Sequence, residues 1–133
     1  MKPSAMLLLV LALFVQPVVA VEKNGFELDN AAVPPEKIMA GGPPRDGIPA
    51  LSSPKMLTVD EADYLRDADR VLGVVIGGEA RAYPTRILVW HEIVNDRIGN
   101  KPVAVTFCPL CGTGIVFARE LDGRTLEFGV SGL

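Results

Sequence analysis

A chain of 133 residues, 49% hydrophobic and 22% charged, has room for one domain and the composition of a globular one. Its formal charge of −3 is spread along the sequence without a Lys/Arg cluster, which excludes the electrostatic footprint of a nucleic-acid binder. There is no internal repeat, and low complexity is confined to one Pro/Gly-rich stretch.

The first twenty residues read as a secretory signal peptide. Lys2 supplies the positive start, residues 6–15 are an unbroken apolar run, and small residues precede a cleavage point after Ala20. The run is half the roughly 20 residues a membrane span needs, so no stable span is expected after cleavage. No Cys follows for lipidation. The chain is therefore expected outside the cytosol, periplasmic or extracellular, where disulfides form and persist.

Residues 21–54 are expected to form an extended arm, either a linker or a strap across the domain surface. Residues 33–54 alone hold six prolines and three glycines, which leaves no place for a helix or a central strand. The folded domain is expected over residues 55–133.

Thr58 and Glu61 fit a capping box and predict a short helix over residues 59–66. Residues 71–76 are apolar and β-branched, Gly77-Gly78 suits a tight turn, and residues 79–83 alternate, which predicts a β-hairpin. Arg81 and Tyr83 fall on one of its faces, Ala80 and Ala82 on the other. The stretch "TRILVWHEIVNDRIG" switches to a helical period. Ile87, Trp90, His91, Val94 and Ile98 share one face, Thr85 is a candidate cap, and Gly99 a stop. Glu92, Asn95 and Asp96 then lie nearer the polar side, with Trp90 and Tyr83 at the core or its rim. "KPVAVTF" is a further strand leading into a turn. "GIVFARELDGRTLEFGV" reads as a second hairpin around Asp122-Gly123. Strands outnumber helices and tight turns make neighbours antiparallel, so the fold class is α+β: mainly antiparallel hairpins with one or two short helices.

The only two cysteines lie in "FCPLCGTG". Pro109 suits the second position of a β-turn, which brings Cys108 and Cys111 within reach of each other. Three uses of the pair compete. In thiol–disulfide exchange one thiolate attacks and its neighbour resolves the mixed disulfide. Cys108, at the mouth of the turn, is the expected attacker and Cys111 the resolving thiol. No helix follows to lower a thiol pKa, so activation would fall to His91, the only histidine, or to Arg81. No cofactor is needed, and the partner would be a thiol-containing protein or small molecule. Alternatively, His91, Cys108 and Cys111 make a Cys₂His set for copper or zinc. Trigonal Cu(I) suits that set better, because structural zinc normally takes four ligands. An iron–sulfur cluster lacks ligands, and covalent haem attachment needs His where Gly112 stands. The third use is an inert disulfide, although so small a loop gives little entropic stabilisation.

Taken together, "RAYPTRILVWHEIVND", "PVAVTFCPLCGTGIVF" and "FGVSGL" resemble the bacterial family domain of unknown function 3179, over about residues 47–133. The resemblance brings no established reaction and leaves open whether the chain is an enzyme. It implies export and a domain that continues past Leu133. Some members are described as selenoproteins with selenocysteine in the matching motif, so the resemblance implies redox work at Cys108 and Cys111.

Overall fold

The structure is a computed structural model that describes residues 20–133. The expected leader lies outside the described residues apart from Ala20. Strands β1 (Glu22–Lys23) and β2 (Phe26–Glu27) close a small antiparallel hairpin. A 3-10 turn follows at Pro35–Lys37. The Gly41 N–H then donates to the Gly132 carbonyl at 2.7 Å and the Asp46 N–H to the Val130 carbonyl at 2.8 Å. The arm is thereby laced to the last residues of the chain. It ends in strand β3 (Leu51–Ser52), which joins the edge of the main sheet.

The Thr58–Glu61 pair forms, with the Thr58 N–H donating to Glu61 Oε2 at 2.9 Å. The helix expected over residues 59–66 is nevertheless only a 3-10 turn, Val59–Glu61. It buries no residue, and a nucleus without packing does not propagate.

The first hairpin is as the sequence suggests. Strand β4 (Val71–Ile76) pairs antiparallel with β5 (Glu79–Pro84), with Ile76 opposite Glu79 across Gly77-Gly78. Both glycines have positive φ, 59° and 84°, as the tight turn requires. Leu72, Val74 and Ile76 face inward and Arg81 and Tyr83 share a face.

The long helix does not form. Helix α1 covers only Thr85–His91, and Ile93–Ile98 is strand β6. Thr85 makes no cap; its hydroxyl donates to the Arg70 carbonyl at 3.1 Å. The stripe drawn through Ile87, Trp90, His91, Val94 and Ile98 thus mixes two elements. Leu88 is the helical residue that enters the core, and Trp90 is 74% exposed. Gly99 belongs to a two-residue turn rather than a helix stop, because Ile98 pairs with Lys101 of β7 (Lys101–Cys108).

Strand β8 (Thr113–Ala118) runs back along β7. The four-stranded sheet has the order β3-β6-β7-β8, with β3 parallel to β6 and the other pairs antiparallel. The turn at Asp122-Gly123 is present, but it joins only two-residue strands, β9 (Glu120–Leu121) and β10 (Arg124–Thr125). "GIVFA" pairs across the cysteine turn instead. The fold is α+β, mostly antiparallel, with one short helix and two 3-10 turns.

Alternation on β6 gives the sheet two distinct faces. Val94, Asp96 and Ile98 point to one, with Val103 and Val105 of β7 opposite or beside them. The β4–β5 hairpin and α1 cover this face and bury Tyr83, Leu88, Val94, Ile98, Val103 and Val105. Asp96, inside that packing, accepts from Tyr83 Oη at 2.9 Å and from Arg81 Nη1 at 2.8 Å. Burial, then that bond, pushes the Tyr83 phenol well up, so it remains the neutral donor. Leu88 is 1% exposed. Leu88→Ala is expected to cost about 2–5 kcal/mol, through lost burial and the cavity left behind. A urea melt checks this.

The second face carries Ile93, Asn95 and Thr106, with Ile115 opposite Thr106 and Thr113 opposite Cys108. Only part of it is covered. Asn95 holds residue 128 on both sides, its Nδ2 donating to the Phe128 carbonyl at 2.8 Å and its Oδ1 accepting the Phe128 N–H at 3.0 Å. Arg119, 6% exposed, donates to the Leu126 carbonyl and to Glu127 Oε2, both at 2.7 Å. The last residues of the chain are fixed across Asn95, while Ile115 and Phe117 stay about half exposed.

Candidate functional site

The cysteines sit in the loop joining β7 to β8, at the edge of this half-covered face. Cys108 closes β7 opposite Thr113, leaving Pro109, Leu110, Cys111 and Gly112 to turn the chain. Gly112 has φ 61°, the left-handed conformation that lets the chain enter β8 without a Cβ penalty. A Cβ at Gly114 would lie 2.9 Å from Leu72, so the loop exit is pressed against the first hairpin.

Both cysteines are free thiols, with sulfurs 2.8 Å apart. The Cys111 N–H donates to Cys108 Sγ at 3.2 Å. The turn therefore treats its two sulfurs unequally. The Cys111 thiol, then the Cys111 N–H and the Leu110 N–H, hold the Cys108 thiol below its usual pKa, against desolvation and the charge of Glu92. Cys111 moves the other way, pushed up first by its bond to Cys108 and then by the charge on that sulfur. Thiolate stabilisation comes from the folded turn itself, which no residue type in the sequence announces.

The loop opens on a hollow of about 540 Å³. Cys108, Cys111, Thr106 and Phe107 line one side, and Gly129, Val130 and Ser131 the other. Glu92 and Ile93 close it from the helix–strand junction. Neither Glu92 nor the 129–131 wall is marked as part of a site by any motif in the sequence. Had residues 93–98 been read as a strand, Glu92 would have fallen across from Phe107, beside Cys108.

His91 is not among the lining residues. Its Nδ1 lies 2.7 Å from the Pro49 carbonyl, which can only accept, so Nδ1 carries the proton and the ring ties α1 to the arm. Arg81 is held by Glu79 and Asp96, each at 2.8 Å. Among the described residues no three His, Cys, Asp or Glu side chains gather where they could hold a metal ion, so the His91, Cys108 and Cys111 set for copper or zinc is not assembled.

A family model described as "Protein of unknown function (DUF3179)" matches residues 45–133. The chain belongs to the DUF3179 family. The DUF3179 segment takes in the four-stranded sheet, the cysteine loop and the 129–131 wall, and leaves out the β1–β2 hairpin. No curated protein and no solved structure matches the chain significantly. Among the described residues no helix is long and apolar enough to cross a membrane.

A second hollow, of about 360 Å³, lies on the other side of the same C-terminal segment, between Phe26, Arg45 and Glu127. Its charges are already engaged. Arg45 stacks over Phe26 at 4.5 Å and lies 3.7 Å from Asp46, and Glu127 takes Arg119. That hollow is a seam between arm and segment.

Proposed function

We propose that this DUF3179 chain performs thiol–disulfide exchange through Cys108 and Cys111, in an exported location. The observation that carries the reading is the asymmetry of the pair. One sulfur is held below its ordinary thiol pKa by its neighbour's thiol and by turn amides, that neighbour, 2.8 Å away, is pushed the other way, and both face an open hollow. An inert clip needs neither the asymmetry nor the access. The apolar leader and the resemblance to DUF3179, some of whose members are described as selenoproteins at the matching motif, support the same reading.

In the reducing direction, the Cys108 thiolate attacks a disulfide R–S–S–R′. A Cys108–S–S–R bond forms, and R′–S⁻ leaves and takes a proton from solvent. Cys111 loses its proton and attacks Cys108 Sγ. The Cys108–Cys111 disulfide closes and R–S⁻ leaves, to be protonated in turn. Two electrons pass from the dithiol to the substrate, and a dithiol partner restores the pair by the reverse path. The first step also readies the second. Cys111 is kept protonated mainly by Cys108, and once Cys108 is bound in a mixed disulfide its charge is gone.

With dithiodipyridine as a neutral probe, the reduced chain should release one thiopyridone on attack and a second on resolution. Cys111→Ser should stop after the first, leaving an adduct on Cys108 visible in the intact mass. Because the folded pKa of Cys108 is lowered, its alkylation should reach half its limiting rate at a lower pH than that of a free thiol, which is half ionised at about 8.5. An unmodified Cys108 in Cys111→Ser, or an ordinary titration midpoint, would sink the reading.

A further inference from the structure

Strand β8 is the outer strand of the four-stranded sheet, and among the described residues no strand pairs with its far side. The direction of its main-chain groups follows from two bonds made by its neighbours. The Phe107 N–H donates to the Glu92 carbonyl, just before β6, at 2.8 Å, and the Arg119 N–H, just past β8, donates to the Pro102 carbonyl at 3.0 Å. Bonding in an antiparallel ladder alternates, so Thr113, Ile115 and Phe117 exchange bonds with β7. Gly114, Val116 and Ala118 then point their N–H and C=O groups away from the sheet. Among the described residues no main-chain group bonds to them.

Natural sheets ordinarily shield such an edge with a charged side chain, a proline or a bulge. Strand β8, "TGIVFA", has no charge and no proline, and its register against β7 runs without a bulge from Thr113 to Ala118. The face beside the edge is apolar and open, with Ile115 and Phe117 about half exposed. The edge also leads to the sulfurs. Thr113 pairs with Cys108, only Gly112 separates it from Cys111, and Thr113 and Ile115 line the thiol hollow. Anything seated along β8 is guided to the cysteine turn.

We propose that β8 is the docking edge for the substrate of the exchange, an extended polypeptide segment, neutral or basic, that carries the disulfide and adds to the sheet as a further strand. This inference rests on the exchange reading above and names its substrate class. Donors and acceptors that recur at every second residue are matched by an extended main chain and not by a small disulfide. Side chains of the segment on the hollow face meet Ile115 and Phe117, which favours β-branched or aromatic residues there. Apart from the thiols, Glu92 is the one ionisable side chain lining the hollow, and its charge disfavours an acidic segment. A second copy of this chain fits less well. Two β8 strands paired antiparallel about a two-fold axis put each cysteine turn at the other's Ala118 end and bring a disulfide to neither. In the docked complex the Cys108 thiolate attacks the segment's cysteine sulfur. A Cys108–S–S–segment bond forms, and the sulfur formerly bonded to that cysteine leaves as a thiolate and takes a proton from solvent.

The probe is a short peptide of alternating Thr and Val, with Lys at its start for solubility and a C-terminal Cys held as its thiopyridyl disulfide. Antiparallel pairing brings that end to the turn. Its thiopyridone release from the reduced chain should be about 10- to 100-fold faster, as a second-order rate, than that of the thiopyridyl disulfide of mercaptoethanol. N-methylation of every second residue tests the mode of binding. One alternate set of amides faces β8 and the other faces solvent. One methylated peptide should therefore fall to the small-molecule rate, and the other should stay within about two-fold of the parent. Ala118→Pro removes an outward N–H but no ladder bond, and should lower the peptide's advantage several-fold. Hydrogen exchange reads docking without the chemistry. The same peptide with Ser for Cys should protect the amides of Gly114, Val116 and Ala118, and leave those of Thr113, Ile115 and Phe117 as they were. Equal effects of the two methylated peptides, or no protection of the outward amides, overturn the docking edge. So does a dimer in sedimentation that Ala118→Pro dissociates, which makes a second copy the occupant. An unreactive mercaptoethanol disulfide would instead remove the exchange reading, with the protection pattern still deciding the edge.

Discussion

Cys108→Ser is expected to abolish the second thiopyridone release and so the two-electron exchange, because a hydroxyl without a paired base neither attacks a disulfide at neutral pH nor closes one with Cys111. The first release is then left to Cys111, freed of the Cys108 charge that kept it protonated, and should be several-fold slower than wild type at mildly acid pH. Cys111 lies exposed at the turn, and its sulfur receives none of the amides that favour a thiolate at Cys108. The converse variants separate two contributions to the Cys108 pKa. In Cys111→Ser a hydroxyl still donates to Cys108 Sγ, so attack should stay within a few-fold of wild type. In Cys111→Ala the largest cause of the lowering is removed, and the alkylation midpoint should rise, though not fully to the free-thiol value, because the backbone N–H groups of residues 110 and 111 remain. Stopped-flow release and iodoacetamide alkylation against pH measure both. If Cys108→Ser and Cys111→Ser are slowed equally, attack is not confined to Cys108 and the turn's asymmetry has no kinetic meaning.

The parts of this fold that are legible in sequence are those whose signal is local. Gly77-Gly78 between two apolar runs specifies a hairpin because only a positive-φ pair makes that turn, and no distant contact is needed. Residues 93–98 imitate a helix in sequence because β6 carries its polar residues inward. Asp96 is buried on the hairpin side by Arg81 and Tyr83, and Asn95 on the other by residue 128. With polar groups on both faces no period-2 apolar pattern survives, and Val94 and Ile98, four apart, imitate a helix. The overlooked local signal is Gly99-Asn100, a two-residue turn between two β-branched runs. The cysteines themselves were plain from spacing. What tunes them was not, because Glu92 and the 129–131 wall reach the hollow only after β6 pairs with β7 and the C-terminal segment is laid over Asn95.

Arg119 is what lays that segment down, and it carries the second large effect. Its guanidinium reaches the Leu126 carbonyl, Glu127 and the Asp96 carbonyl, the last at 3.3 Å, from a position 6% exposed. The Ser52 hydroxyl, then Arg119, hold the Glu127 carboxyl below its usual range, so arm, strand and segment meet at one ion pair. Arg119→Ala would strand buried carbonyls without donors and leave a cavity where the side-chain stem packed. The expected cost is about 2–4 kcal/mol, less than for a wholly buried pair because Glu127, 62% exposed, can return to water. For a domain this small that is a fall in Tm on the order of 10–20 °C. Arg119→Met should recover part of the loss. It restores the stem, and it removes Arg119 Nε, which is buried without a partner. The thiol chemistry should respond differently from the stability. Every group that lowers the Cys108 pKa lies inside the turn, so alkylation of folded Arg119→Ala should keep the wild-type midpoint even as its hollow loses a fixed wall. A shifted midpoint in that variant would mean the segment contributes to thiolate stabilisation directly, and the site would then have to be drawn to include it.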